Sequence, residues 1–248
     1  MRATIGGCRF DALTLGQTVD AVFDRLHAGA RGWVCTVNVA ILMMMKADPA
    51  LRSFIDRSQL NVADGQPLVW AAPLFGSSLP ERVTGIDLIE RLACRAAGEG
   101  VGLYLLGSSL CVVQECAARL RERHPTLRID VADGYFGADE AVGRADAVRS
   151  SGARLLVVGM GVPRQERFID EQWERLGVGM AIGVGGSFEV MAGRKRRAHP
   201  VIQAIGMEWL FRLVQEPRRL FWRYLSTNLQ FAGLLARQLM RRLSGERS

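Results

Sequence analysis

Asp64, in the segment Asn61-Val-Ala-Asp64-Gly65-Gln66, is a carboxylate placed just after an apolar run and just before a glycine. An aspartate there is ordinarily a turn residue. Partly desolvated, it has a raised pKa and can take a proton from a hydroxyl nucleophile as a general base. Thr36 and Asn38 close an earlier apolar run and could hydrogen-bond a sugar or orient that base; Asn38 could equally just cap a helix starting at Val39. Downstream, residues 155–193 hold two apolar runs that break into glycines, Gly159/Gly161 and then Gly183/Gly185/Gly186, each followed by a polar segment of helical spacing. Such turns let backbone N–H groups at a helix start approach a phosphate with no Cβ in the way, so a phosphate-bearing ligand is expected. Arg164 stands where the third glycine of GxGxxG would fall, which disfavours an NAD enzyme.

His27, His124 and His199 are scattered, and none pairs with a cysteine or carboxylate at ligand spacing. The chain also lacks Asp-x-Asp, the usual anchor of a divalent ion on a nucleotide-sugar diphosphate. A diphosphate would therefore be met by backbone amides and arginines, with Arg82, Arg164 and the C-terminal arginines as the supply.

These residues need a frame that gathers strand ends. Trp33–Val37, Leu60–Ala63, Val101–Leu106, Arg128–Ala132, Leu155–Val158 and Gly179–Val184 read as strands. Val39–Ala47, Ile86–Ala97 (after a Thr84 N-cap), Ser109–Arg123, Asp139–Ser150 and Gln165–Leu176 read as helices. The alternation predicts an α/β, Rossmann-like, three-layer fold with a mostly parallel sheet, whose ligands gather at the carboxyl ends of the strands. Two further helices, Ile202–Val214 and Arg218–Arg242, are separated by Pro217 and mix aromatics with arginine. Arg212, Arg219 and Arg223 share a face if helix continues through that proline.

At 248 residues and 49% hydrophobic content the chain can bury a full core. Five cysteines without CxxC read as reduced thiols. The N-terminal residues MRATIGGCRF lack the order of a signal peptide, and no uncharged apolar stretch reaches membrane-spanning length, so a cytoplasmic location is expected. The net charge of +7 is unevenly spread: residues 194–248 carry 12 Arg or Lys against 3 Glu, whereas residues 1–193 carry 20 basic against 22 acidic. The shift divides the chain into a catalytic α/β domain, 1–193, and a basic amphipathic helical appendage, 194–248. Arginine mixed with Trp, Phe and Leu suits an anionic membrane surface; no RNA-binding module accompanies it, so nucleic acid is not an expected partner.

Several ordered motifs carry a resemblance: Thr36-Val-Asn38, Ala63-Asp64-Gly65, Arg82-Val-Thr-Gly85-Ile-Asp87, Leu105-Leu-Gly107, Gly134-Tyr-Phe136, Gly159-Met-Gly-Val-Pro-Arg-Gln165-Glu166, Gly183-Val-Gly-Gly-Ser-Phe188, and Glu208-Trp209-Leu-Phe-Arg212 followed by Glu216-Pro217. Over nearly its whole length the chain resembles the bacterial WecG/TagA/CpsF glycosyltransferases. The resemblance implies an inverting, metal-independent hexosyltransferase that moves a sugar from a UDP-sugar to an undecaprenyl-diphosphate-linked acceptor during cell-surface polysaccharide synthesis. The donor sugar would be of the N-acetylmannosamine, N-acetylmannosaminuronate or glucose type. No cofactor or metal is implied.

By position, Asp64 would be the catalytic base and Thr36, Asn38, Arg82 and Gln165 would contact substrate. Gly107, Tyr135, Gly159, Gly161, Gly185, Gly186 and Glu189 would line the nucleotide, and Arg212, Arg219 and Arg223 would close over the diphosphate. The tail would hold the protein peripherally to the inner face of the cell membrane; self-association into a homo-oligomer stays open. Glu189 stands where the family usually has Asp, and Arg197-Ala-His199 with Pro200 replaces the usual Arg-Ala-Pro. Another nucleotide-sugar-using enzyme, or a non-catalytic membrane-docked partner of a polysaccharide assembly complex, are the rival readings.

Overall fold

The computed structural model describes residues 2–243; within them, the side chains of Ala204, Arg219, Arg223 and residues 241–243 lie outside the description. Strands β1 (Arg2–Ile5) and β2 (Cys8–Asp11) form an antiparallel hairpin around Gly6 and Gly7. Both glycines have positive φ, as a two-residue hairpin turn requires. Helix α1 (Leu15–His27) follows, started by a capping box between Thr14 and Gln17. Next come β3 (Gly32–Val37), α2 (Val39–Ala47), α3 (Pro49–Asp56), β4 (Leu60–Ala63), α4 (Gln66–Ala71) and, after a 3-10 turn, α5 (Gly85–Glu99). The remainder of the α/β body is β5 (Leu103–Gly107), α6 (Leu110–Arg123), β6 (Ile129–Ala132), α7 (Ala141–Ser150), β7 (Leu155–Gly159), α8 (Arg164–Leu176), β8 (Met180–Gly183) and α9 (Ser187–Met191).

The six long-range strands form one parallel sheet in the order β4-β3-β8-β7-β5-β6. Each strand expected from the apolar runs is present within a few residues. These strands are buried on both faces, and successive side chains divide between two cores. Cys35, Val37, Leu156 and Val158 pack with α2, α3 and α8, while Val34, Leu155 and Val157 pack with α1, α5 and α6. The chain thus has the three-layer α/β architecture expected of it. Helices leaving β3 and β7 cover one face and those leaving β5 and β8 the other, so clefts open at the carboxyl ends where neighbouring connections diverge.

The C-terminal segment departs from the expected pattern. The helix expected over Ile202–Val214 is two helices, α10 (Pro200–Ala204) and α11 (Glu208–Gln215). Gly206 parts them with φ +76, where a Cβ would also press on Trp70 of α4. Helix α12 (Pro217–Leu243) begins anew after Glu216 takes non-helical dihedrals (φ −130, ψ 58). The helix therefore does not continue through the proline, and the single face expected to carry Arg212, Arg219 and Arg223 is corrected: Arg212 belongs to α11 and the other two to α12. Helix α12 lies across α2. Phe231 is buried in the core shared with Leu42, and the Gly6 N–H donates to Gln238 Oε1 at 3.2 Å.

Candidate active site

Asp64 leaves the end of β4 with its backbone N–H bonded to the Val37 carbonyl at 2.9 Å, which fixes it beside the end of β3. Its carboxylate is half-buried and, among the described residues, accepts no hydrogen bond. The loop that follows α4 returns alongside, with the Val83 N–H donating to the Ala63 carbonyl at 2.9 Å, and so brings Arg82 to the same place. Helix α11 supplies the remaining wall. Glu208, only 3% exposed, accepts from Arg82 Nη1 at 2.8 Å and from Arg212 Nη2 at 2.9 Å. Asp87 accepts from Thr84 Oγ1 at 2.7 Å and from Arg197 Nη2 at 2.6 Å, a second link between body and tail.

Burial pushes the Asp64 carboxyl up to about 7; Arg212 and Arg82 pull it down, and Glu208 and Asp87 add to the rise. Glu208 and Asp87 behave oppositely. Burial opposes their ionisation, but their arginine partners outweigh it and hold both below the usual carboxylate range. Three carboxylates in one cluster therefore have two characters. Two are held as anions, and the third has its carboxyl pushed up to about 7.

Asn38 caps α2, its side chain accepting from the Ile41 N–H at 3.1 Å. Its Cβ lies within van der Waals reach of where a side chain on Gly65 would stand, so it adjoins the Asp64 turn. Thr36 is buried in β3 and its hydroxyl donates to the Gly183 carbonyl at 2.9 Å. Gln165 is 2% exposed, with both ends of its amide engaged: Oε1 accepts from the Gly185 N–H at 3.0 Å and Nε2 donates to Glu166 Oε1 at 2.8 Å. Thr36 and Gln165 therefore brace the end of β8 from either side, and the glycine turn at Gly185, with φ +56, is held by the Gln165 amide.

Behind Gln165, Glu166 is buried with Oε2 unpartnered, and desolvation pushes its carboxyl up to about 7. The folded chain keeps that proton between the ordinary glutamate value and about 7 while the unfolded chain releases it, so this site costs stability as pH rises through that window. Glu166→Gln is accordingly expected to raise Tm at pH 8 and to change it little at pH 5, as read by thermal denaturation.

The second half of the edge is built from backbone. A side chain on Gly107 would run into the Gly159 carbonyl, and one on Gly134 would meet the Gly107 Cα at 2.7 Å, so the ends of β5 and β7 and the loop after β6 converge without side chains between them. Gly161 (φ +80) and Gly186 face open space. Ser108, with a positive φ of 54, donates from Oγ to Glu189 Oε1 at 2.6 Å. Tyr135 projects from the loop after β6 with 72% of its surface exposed. That loop is pinned by Arg164, which donates to the Phe136 carbonyl at 2.6 Å, and by Arg144 on Asp133 at 2.9 Å.

The structure thus gathers the sequence-derived residues on one edge, as a basic and acidic cluster around Asp64 and a glycine-lined floor flanked by Tyr135 and Glu189. Arg219 and Arg223 lie outside the described side chains. Glu208, Asp87 and Arg197 are not among the site residues expected from the sequence. The available signal for Glu208 was its i,i+4 spacing to Arg212 on an amphipathic helix. A model of the glycosyl transferase WecG/TagA/CpsF family matches residues 3–245, nearly the whole chain. The chain belongs to the WecG/TagA/CpsF family and is a glycosyltransferase of cell-surface polysaccharide synthesis.

Proposed function

We propose that the protein transfers a hexose-type sugar from a UDP-sugar to a polyprenyl-diphosphate-linked acceptor, with inversion and without a metal ion. The observation that carries this reading is Asp64: a half-buried carboxylate whose pKa is pushed to about 7, with the Arg82 and Arg212 guanidiniums beside it. A base near neutrality next to two fixed cations suits deprotonation of a hydroxyl at one end of a bond and acceptance of a diphosphate at the other. In this mechanism Asp64 takes the proton of the acceptor hydroxyl. The oxygen attacks the anomeric carbon from the side opposite UDP, and the bond to UDP breaks with its electron pair leaving on the diphosphate. Arg82 and Arg212 stabilise that charge. Asp64 then returns its proton to solvent.

The glycine floor supports placement of the nucleotide. Gly107, Gly159, Gly161, Gly185 and Gly186 leave backbone open to close approach, the exposed Tyr135 ring offers a stacking face, and Glu189 can accept from a ribose hydroxyl. Thr36 and Gln165 serve in this account by holding β8 and its turn, while Asn38 adjoins the acceptor side. Incubation of the protein with a panel of UDP-sugars and a short-chain lipid-diphosphate acceptor, with the lipid product weighed, tests the reading. A mass gain of one sugar supports it, and an unaltered lipid across the panel contradicts it.

The appendage supports a peripheral membrane role. No helix among the described residues is long and apolar enough to cross a membrane. Yet Val201, Ile205, Leu210, Val214, Phe221 and Trp222 are all exposed large apolar residues of the tail, and Trp70, against which Gly206 packs, adds one from the body. Apolar side chains with interspersed arginine suit an anionic headgroup layer. Replacing Phe221 and Trp222 together by Ser is expected to weaken binding to phosphatidylglycerol liposomes by about tenfold or more in sedimentation. Unchanged sedimentation would count against this face as the membrane contact.

A further inference from the structure

Glu208 occupies an unusual place for a carboxylate: 3% exposed, at the seam between the tail and the α/β body, with no surface role left to it. Its Oε2 binds Arg82, carried by the loop before α5, and its Oε1 binds Arg212, one helical turn along α11. Burying a carboxylate is costly, and seams between helices are more cheaply closed with apolar side chains. An ion pair is the better solution where two guanidiniums must stay charged, fixed and aimed into a cleft.

We propose that Glu208 is a positioning residue for the diphosphate site: by gripping Arg82 with one oxygen and Arg212 with the other, it sets the two guanidiniums side by side next to Asp64 and makes the site complete only when α11 is seated. The inference rests on the functional reading above and adds to it a residue that touches neither substrate. It makes the anion site a joint product of body and tail. Arg197 on Asp87 and Lys195 on Glu216, at 3.1 Å, anchor the approach to α11, so seating of the tail and formation of the arginine pair are mechanically linked.

The charge of Glu208 also bears on the base. Facing Asp64 are Arg212 and Arg82, which favour its ionised form, and Glu208 and Asp87, which disfavour it; Arg197 stands behind Asp87. Neutralising Glu208 removes one of the two repulsive charges. Losing its grip, however, also lets Arg212 and Arg82 drift from Asp64, and their pull on that carboxyl exceeds the push of Glu208. The acid limb of the pH profile of kcat/KM should therefore move to higher pH, whereas a residue that acted on Asp64 only through its own charge would move that limb to lower pH.

The test uses the full chain as wild type, E208Q and E208D, with UDP affinity measured calorimetrically and kcat/KM followed against pH. E208Q keeps the side-chain size but has a single acceptor oxygen. Its UDP dissociation constant is expected to rise about 10- to 100-fold, the range typical of losing the partner that orients a binding group, and its acid limb to shift up. E208D should recover part of the affinity. UDP affinity equal to wild type, tighter UDP binding as if the carboxylate merely occupied the arginines, or an acid limb that stays in place or shifts down would each overturn the proposal. Should E208Q not fold, E208D carries the test by the same affinity criterion. Wild-type protein that binds no UDP would instead overturn the functional reading, and this inference with it, which separates the two failures.

Discussion

Asp64→Asn is expected to lower sugar transfer by about 100- to 10,000-fold, the contribution of a positioned general base, while UDP binding persists. Asparagine matches aspartate in shape, so the glycine floor and the arginine pair remain in place and the loss falls on kcat. Wild-type kcat/KM should fall as pH drops below about 7, where burial has placed the Asp64 carboxyl. The same burial makes a prediction of opposite sign for stability. Between its ordinary value and about 7, Asp64 stays protonated in the folded chain and is ionised in the unfolded one, so stability is lost as pH rises through that window. The Asn variant should thus be inactive yet melt at a higher temperature than wild type at pH 8, with the gain shrinking towards pH 5. Near wild-type turnover in Asp64→Asn would remove Asp64 as the base.

Arg82→Ala is expected to cost about 100- to 1,000-fold in kcat/KM, comparable to removing one preorganised donor from a developing anion. Two effects combine. The leaving diphosphate loses a guanidinium, and Glu208, 3% exposed, keeps only Arg212 as a partner. The second effect should show as a lowered Tm, since a buried carboxylate stripped of one cation is destabilised. Arg82→Lys separates the two. Lysine restores a positive charge near Glu208 but not the planar fork, so it should recover stability more fully than turnover. Equal recovery of both in a steady-state assay and a melting curve would argue that Arg82 acts only through charge.

How far the sequence reveals this molecule depends on which physical signal each part carries. Leu155–Val158 and Trp33–Val37 are legible because strands buried on both faces read as continuous apolar runs. The Thr84 cap of α5 is legible because its hydroxyl is chemically suited to the exposed N–H groups of a helix start, and Thr84 accepts from Asp87 N–H. The N-terminal hairpin carried its own signal, Gly6-Gly7 between short alternating segments, but four-residue strands are too brief to stand out. The tail resisted for a different reason. Its apolar periodicity is helical throughout, and the breaks fall at Gly206, with φ +76, and at Glu216 before Pro217, local signals that the periodicity runs across.

The site shows the same division. The position of Asp64 and of the glycines at strand ends is legible, since an apolar run broken by a carboxylate or a glycine shows in the sequence without reference to its surroundings. The resemblance makes Gln165 a substrate contact, whereas in the structure both ends of its amide are engaged by Gly185 and Glu166. A side chain's partners come from tertiary packing, which a linear pattern does not encode. Glu208 was hidden by the same limit. Its spacing to Arg212 was visible, but the Arg82 contact spans 126 residues and exists only once the tail has folded back.

The most direct test of the central claim is UDP release from a UDP-sugar by the full-length protein at pH 8 in the presence of a chelator, with and without a short-chain polyprenyl-diphosphate-linked acceptor. The account predicts UDP release only with acceptor present, one sugar gained per lipid, and loss of both in Asp64→Asn. UDP release at the same rate without acceptor, or no release until a divalent metal is restored, would contradict it.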